Sequence, residues 1–413
     1  MIIDAKAYNG ACECGREHHM LTELCVIEAG CLFDFDKYVG ESGLRGKAVA
    51  IYDENTYAAT ADRHPKADLE IILPPEGLHA DEHAVGMALE KIPSDCGYLI
   101  AVGSGTVHDT TRYCAYKLGL DFVSCPTAAS VDGFCSSVAA MTWEGFKVTF
   151  TAVAPKIVIA DLDVVSKAPG FLTSSGFGDM IGKFICLSDW RISHILTGEY
   201  LCERIYKMTL DATRAVMDAA EDIRRGSLDA YGKLIYGLLM SGLAMQLLGN
   251  SRCASGAEHH ISHLIEMQPA GLGVSSDALH GEKVGVGTLI AAREYHNLAS
   301  KKHRFTDCPA LDEELVKSVF GQLSESVIKE NTPICTRGVT AAMLDEKWDE
   351  IVKVIKAMPT EEELIEKYTT LGLKSTLADL GVDESKRDAL INYSPLVRNR
   401  ITLMRLRSAL MII

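Results

Sequence analysis

Five short runs rich in apolar residues recur before position 165, separated by stretches of helical character: Ala48–Asp53, Leu69–Leu73, Tyr98–Gly103, Phe122–Pro126 and Lys156–Asp161. Strand-type runs spaced in this way are what βαβ units require, and they predict an α/β domain built on a mostly parallel sheet. After Lys167-Ala168-Pro169-Gly170 the strand signals stop. From there to Ile413 apolar residues recur at helical spacing with Glu, Lys and Asp on the opposite faces. A boundary is therefore expected between an α/β segment, 1–167, and an all-α segment, 168–413. Within the first segment, Ser137–Ala154 reads as a hairpin-like excursion that turns at T-W-E-G-F-K.

The 413 residues, 47% of them hydrophobic, suffice for two well-buried domains. The formal charge of −15 argues against nucleic acid or an anionic membrane as a partner, since either calls for a basic face. The first ten residues have neither the basic nor the apolar segment of a signal peptide, so the cytoplasm is the expected location. The longest apolar stretch, Leu234–Gly249, is interrupted by Ser241 and Gln246 and reads as a buried helix rather than a membrane span. Thirteen scattered cysteines without C-x-x-C pairs fit reduced thiols. In the one cluster, C-E-C-G-R-E-H-H, Cys12, Cys14, His18 and His19 have soft-metal chemistry, but the tight spacing favours a solvated turn.

Chemistry is concentrated in a few segments. Tyr98–Gly103 runs into G-S-G-T-V-H-D, where a helix begins near Thr106. Backbone N–H groups and the helix dipole at such a turn face an anion, which gives the domain a Rossmann-like, dinucleotide-binding reading, although a plain strand-to-helix turn uses the same glycines. Asp53 ends the first long run, where its carboxylate suits either a ribose or a helix N-cap. In C-P-T-A-A-S-V-D-G-F-C-S the small residues permit close approach of a flat ring, Thr127, Ser130 and Ser136 offer hydrogen bonds, and Asp132 either meets a substrate hydroxyl or caps a turn.

Downstream, S-G-A-E-H-H-I-S-H places His259 and His263 four residues apart, on one helical face, and His280 opens the next helix in L-H-G-E-K-V-G-V-G. Asp179, in G-F-G-D-M-I-G-K, is a possible carboxylate partner. Two imidazoles and one carboxylate leave an open position on a Zn²⁺-like ion, as a catalytic site requires. Lys183 and Lys283 lie four and three residues beyond proposed ligands and suit either a phosphate pocket or the solvated surface. His260 points about 100° away from His259 and is expected to be structural or exposed. His79, His83 and His108 read as ordinary histidines. Taken singly, each proposed ligand also reads as a helix cap, a core histidine or a first-turn residue.

Together, GSGTVHD, PTAASVDGFCS, SGFGDMIGK, SGAEHHISH and LHGEKVGVG resemble the superfamily of dehydroquinate synthase-like and iron-containing alcohol dehydrogenase-like proteins, and most closely the bacterial glycerol-1-phosphate dehydrogenase group. The likeness spans about Asp53 to His296. It implies Asp179, His259 and His280 as metal ligands, with the active site in the cleft between the domains. It further implies Gly103, Ser104, Gly105, Thr106 and Val107 around the dinucleotide diphosphate, and Thr127, Ala128, Ala129, Ser130 and Ser136 on the nicotinamide side. Asp132 and His263 would contact substrate, with His263 as proton relay. The family reduces dihydroxyacetone phosphate with NADH or NADPH, uses zinc or nickel, and forms homo-oligomers, dimers or larger. Lys183 stands where four-ligand iron alcohol dehydrogenases have histidine. Asp179 stands where dehydroquinate synthases have glutamate, and G-S-G where they have three glycines. A glycerol or related polyol dehydrogenase, a lyase or cyclase of the dehydroquinate synthase type and a non-catalytic sugar-phosphate sensor remain as alternatives. Asp53 would repel a 2′-phosphate, which tilts the cofactor toward NADH.

Overall fold

The protein is described from a computed structural model that covers residues 1–144 and 146–413. Strands β1 (Ile2–Asp4), β2 (Gly10–Ala11), β3 (Glu17–His18), β4 (Leu24–Glu28), β5 (Lys47–Asp53), β6 (Leu69–Leu73), β7 (Cys96–Gly103), β8 (Asp121–Pro126), β9 (Val138–Trp143), β10 (Phe146–Thr151) and β11 (Ile157–Asp161) lie in the first part of the chain. Two more, β12 (His303–Phe305) and β13 (Leu410–Ile412), come much later. The five expected strands are β5, β6, β7, β8 and β11. They form one sheet in the order β1-β4-β11-β8-β7-β5-β6, parallel throughout except for β1 against β4.

Period-two alternation sends successive side chains to opposite faces, and here both faces are buried, as a parallel sheet requires. Ala50 and Tyr52 of β5 and Ile100 and Val102 of β7 enter one core; Val49, Ile51, Leu99 and Ala101 enter the other. The chain runs from β5 outward to β6, then returns to place β7 on the other side of β5. That reversal is a topological switch point, the place at which sheets of this kind bind ligands outside the carboxyl ends of their strands. Asp53 and Gly103 are the residues at those two ends.

The excursion at 137–154 is an antiparallel hairpin of β9 and β10, in register from Phe146↔Trp143 to Thr151↔Val138. Residue 145, in its expected turn, lies outside the described residues. The apolar stretch near Leu234 belongs to a buried helix, Leu228–Leu248. Among the described residues no helix is long and apolar enough to cross a membrane.

Two compact units emerge: Met1–Met180 with Arg214–Asn250, and Ile181–Thr213 with Ser251–Ile413. A single cut at 167/168 is what the sequence suggests; the units instead interleave, and helices beyond 167 pack with the sheet. In the second unit the helix Ala257–Met267 packs on the helix His280–Ser300. Gly287 makes the crossing close, because a Cβ there would sit 2.6 Å from the carbonyl oxygen of Glu258. The helical half is not wholly α: β12 pairs antiparallel with β13.

Candidate active site

The sheet unit carries the strand-to-helix glycine turn. β7 ends at Gly103, and the helix Gly105–Leu118 starts two residues later with Ser104 as its N-cap, which makes no side-chain capping bond. The first-turn N–H groups of Gly105, Thr106 and Val107 thus receive no bond from the side chain of their own cap. Gly103 is required by packing, since a Cβ would lie 2.6 Å from that of Val107. Beside it, the Thr127 N–H donates to the Gly103 carbonyl at 2.9 Å. Thr127, Ala128, Ala129 and Ser130 are all buried there.

The helix Gly170–Ile181 lies directly against this segment: a Cβ on Gly176 would be 2.0 Å from the Ala129 carbonyl oxygen. Ser175 Oγ donates to the Ser130 carbonyl at 3.0 Å. Asp179, fully buried on the same helix, accepts the backbone N–H of Asp132 on Oδ2 at 3.0 Å. Asp132 in turn accepts Ser241 Oγ on its own Oδ2 at 2.8 Å. The tight 132–135 turn is bolted down by Arg112, whose buried guanidinium donates to the carbonyls of Gly133 and Phe134 at 2.6 and 3.2 Å and pairs with Asp109. Neither Arg112 nor Asp109 stands out in the sequence. Their spacing of three on a helix was the available signal.

Two residues serve bonds of their own. Asp53 caps the helix Glu54–Ala59 through Oδ1, which accepts the Thr56 N–H at 2.9 Å in a capping box, so the cap is the role observed. Ser136 Oγ bonds within its own turn, to the N–H and the carbonyl of Val138, both at 3.0 Å. His108 is structural as expected. Its ring nitrogens bond the Ser104 carbonyl and Ser124 Oγ at 2.9 and 2.8 Å, and burial pushes its pKa down to about 3.

The helical unit assembles the histidines. The ring centroids of His259, His263 and His280 lie 5.8, 5.4 and 5.6 Å apart pairwise. His259 Nδ1 meets Glu258 Oε1 at 2.7 Å and His280 Nδ1 meets Glu266 Oε1 at 3.0 Å. A carboxylate only accepts, so each Nδ1 carries the proton and each lone pair sits on Nε2. A carboxylate behind each imidazole is the arrangement that orients and strengthens a metal ligand, and these donors fit a divalent metal. Glu258 is completely buried and also accepts the Gly256 N–H at 2.8 Å. Glu266 would be driven up by burial, but the facing His280, with His263 and Lys283, holds it well below the usual carboxylate range. Burial and the neighbouring imidazoles hold His263 neutral against the pull of Glu266.

Both lysines are buried, which removes the surface reading. Lys183 Nζ donates to the Ala254 carbonyl at 3.1 Å, and Lys283 Nζ lies 3.2 Å from Glu266 Oε1. His260 is fully buried rather than exposed, and neither of its ring nitrogens has a partner among the described residues. Glu258 and Glu266 escaped the sequence reading although each sits next to a histidine or one turn from it. The tail also contributes: the turn Ser394–Val397 packs on the 257–267 helix, and the Arg398 charge disfavours a proton on His263.

A glycine turn at the switch point of a parallel sheet in one unit and a carboxylate-backed histidine cluster in the other are each features that a dinucleotide-linked, metal-assisted alcohol dehydrogenase uses. The family model "Iron-containing alcohol dehydrogenase" matches residues 26–169. An NAD(P)+ glycerol-1-phosphate dehydrogenase of Halalkalibacterium halodurans is 32% identical over 98% of this chain and 97% of the relative. One of Bacillus licheniformis is 36% identical over 79% and 82%. The chain belongs to this glycerol-1-phosphate dehydrogenase group. Among solved structures, a probable glycerol dehydrogenase from Sinorhizobium meliloti shares the fold, with a TM-score of 0.63 at 19% identity, covering 93% of this chain and 94% of that one.

Proposed function

We propose that this protein is an NAD(P)H-linked, metal-dependent oxidoreductase that reduces dihydroxyacetone phosphate to sn-glycerol 1-phosphate. The observation that carries this reading is the pair His259 and His280, each locked by a carboxylate into the tautomer a metal needs, in a chain alike over nearly its whole length to glycerol-1-phosphate dehydrogenases. That likeness favours it over the polyol dehydrogenase, cyclase and sensor readings. On the resemblance of its segment, Asp179 completes the ligand set, and the ion is Zn²⁺ or Ni²⁺.

When bound, the dinucleotide supplies the hydride and the metal polarises the substrate carbonyl. The protein's own part is position and proton supply. The N–H groups of Gly105, Thr106 and Val107 face the diphosphate, with Gly103 and Ser104 shaping the turn. Thr127 to Ser130, with the Ser136 segment, are assigned to the nicotinamide side, and the carboxylate of Asp53, which also caps its helix, is assigned to the ribose, which would favour NADH. Asp132 orients a substrate hydroxyl. The carbonyl oxygen, which would gain charge as its carbon is reduced, would receive its proton through His263 and solvent. His263, held neutral with part of its ring exposed, suits such a relay. Lys283 and Lys183 are the cations assigned to the substrate phosphate. The protein acts as a cytoplasmic homo-oligomer, a dimer or larger.

The test is NADH oxidation at 340 nm by metal-stripped enzyme reconstituted with Zn²⁺ or Ni²⁺. Turnover of dihydroxyacetone phosphate, absent with dihydroxyacetone and lost in His259→Ala, is the expected outcome. Turnover of the free ketone alone overturns the phosphate assignment.

A further inference from the structure

The N-terminal segment holds donors that the dehydrogenase reaction does not use. β2 and β3 form a two-stranded hairpin, Gly10↔His18 and Ala11↔Glu17, closed by the turn Cys12–Arg16. In it the Cys12 N–H donates to the Arg16 carbonyl and the Gly15 N–H to the Cys12 carbonyl, both at 3.0 Å. Gly15, at φ +83°, is the left-handed residue that turns the chain back. This fold gathers Cys12 Sγ, Cys14 Sγ and a ring nitrogen of His18 within 4.8 Å of one another.

The internal geometry is that of a ligand set. Cys14 Sγ lies 3.3 Å from His18 Nε2, near the roughly 3.5 Å edge of a tetrahedron with Zn–S about 2.3 Å and Zn–N about 2.0 Å. His18 is buried, and its Nδ1 meets the Leu247 carbonyl at 2.8 Å. A carbonyl only accepts, so Nδ1 is the protonated nitrogen and the lone pair of Nε2 faces the sulfur. Metal-ligating histidines are oriented in this way by a backbone carbonyl. The solvated turn that the spacing suggests does form, with Glu13, Gly15 and Arg16 exposed, but the histidine beside it is inside.

We infer that Cys12, Cys14 and His18 bind a second, structural divalent cation of the zinc type, separate from the catalytic metal. Two thiolates and an imidazole select Zn²⁺ over the hard cations. The fourth position is filled by a group beyond these three. The ion pins the N-terminal hairpin to the end of the 228–248 helix, where the next contact is made by Gln246. Gln246 Oε1 accepts the N–H groups of Leu21 and Thr22 at 2.9 and 3.1 Å, and its Nε2 donates to the Cys135 carbonyl, on the turn that bears Asp132.

Metal-stripped full-length protein titrated with Co²⁺ tests this. Thiolate ligation gives a sulfur-to-cobalt charge-transfer band in the near ultraviolet, which the His₂-carboxylate catalytic set cannot produce. We expect that band in the wild-type protein and in His259→Ala, and its loss in the Cys12→Ser/Cys14→Ser double variant. Should the double variant fail to fold, His18→Asn, which keeps both thiols, is expected to weaken the Co²⁺ affinity read from that band by more than about tenfold. Absence of the band from wild type, or a band and affinity unchanged in the variants, overturns the site. None of these readouts depends on NADH turnover, so the result stands apart from the fate of the catalytic assignment.

Discussion

The backbone N–H of Asp132 donates to the carboxylate of Asp179 at 3.0 Å, so the turn assigned to substrate and the helix assigned to the metal share one hydrogen bond. Asp179→Asn keeps an acceptor oxygen for that bond while removing the charge. We expect the fold to survive and metal affinity to fall by at least about tenfold, with NADH oxidation lost at limiting metal. Metal content after gel filtration, with near-ultraviolet circular dichroism for the fold, checks this. An Asp179→Asn protein that keeps its full catalytic metal content removes Asp179 from the ligand set.

With His259 as the proposed ligand, Glu258 would act on the metal through its bond to His259 Nδ1. Replacing it by Gln keeps the size but weakens the acceptor for His259 Nδ1–H, and outer partners of this kind are worth about 10–100-fold in metal affinity. Competition titration against a chelator should show that loss, while kcat at saturating metal stays within a few-fold of wild type. Equal losses at every metal concentration would point to a purely structural role.

Lys283 separates a phosphorylated from a free substrate. For Lys283→Ala we expect KM for dihydroxyacetone phosphate to rise about tenfold or more, about 1.4 kcal/mol of binding, with little change in kcat. Tight binding of the ester by the variant would free this lysine from the phosphate pocket.

His108 makes stability pH-dependent. Its pKa is about 3 in the folded state against an ordinary value of 6.5, so between those limits the unfolded chain binds the extra proton. Its contribution is complete above pH ~6.5. It is lost as pH falls, at up to about 1.4 kcal/mol per pH unit. His108→Gln should be less stable than wild type near neutrality, and the gap should narrow or reverse toward pH ~4. Urea denaturation across that range measures it, and a constant gap would contradict the assignment.

Local pattern made the central strands legible, because β5, β7, β8 and β11 are apolar enough to be buried on both faces, and the edge strand β6 keeps the apolar residues Ile71 and Leu73 on its buried face. It missed β1 and β4. Leu24–Glu28 is short and gains its place between β1 and β11, the latter more than a hundred residues later. The ligand segments could be read because each has its own residue types at helical spacing. What surrounds them could not. Lys183 is buried because a carbonyl 71 residues away receives it, and Glu258 and Glu266 look like ordinary helix acids until they are seen behind the histidines. Asp53 shows the converse: its cap partner is three residues away, and the cap was legible as one of two readings.

The interleaving of the two units has a bearing on how the chain is made. The turn that bears Asp132 leaves the ribosome long before Ser241, the residue 109 positions on that anchors its carboxylate, and before Gln246, which holds the same turn at Cys135. Synthesis runs from the N-terminus, so for several seconds the turn has Arg112 and Asp179 but neither Ser241 nor Gln246, while residues 181–213, destined for the other unit, emerge in between. The turn thus gains its last two anchors after the whole sheet has been made, and a nascent chain released before about residue 240 would carry every strand of that sheet without them.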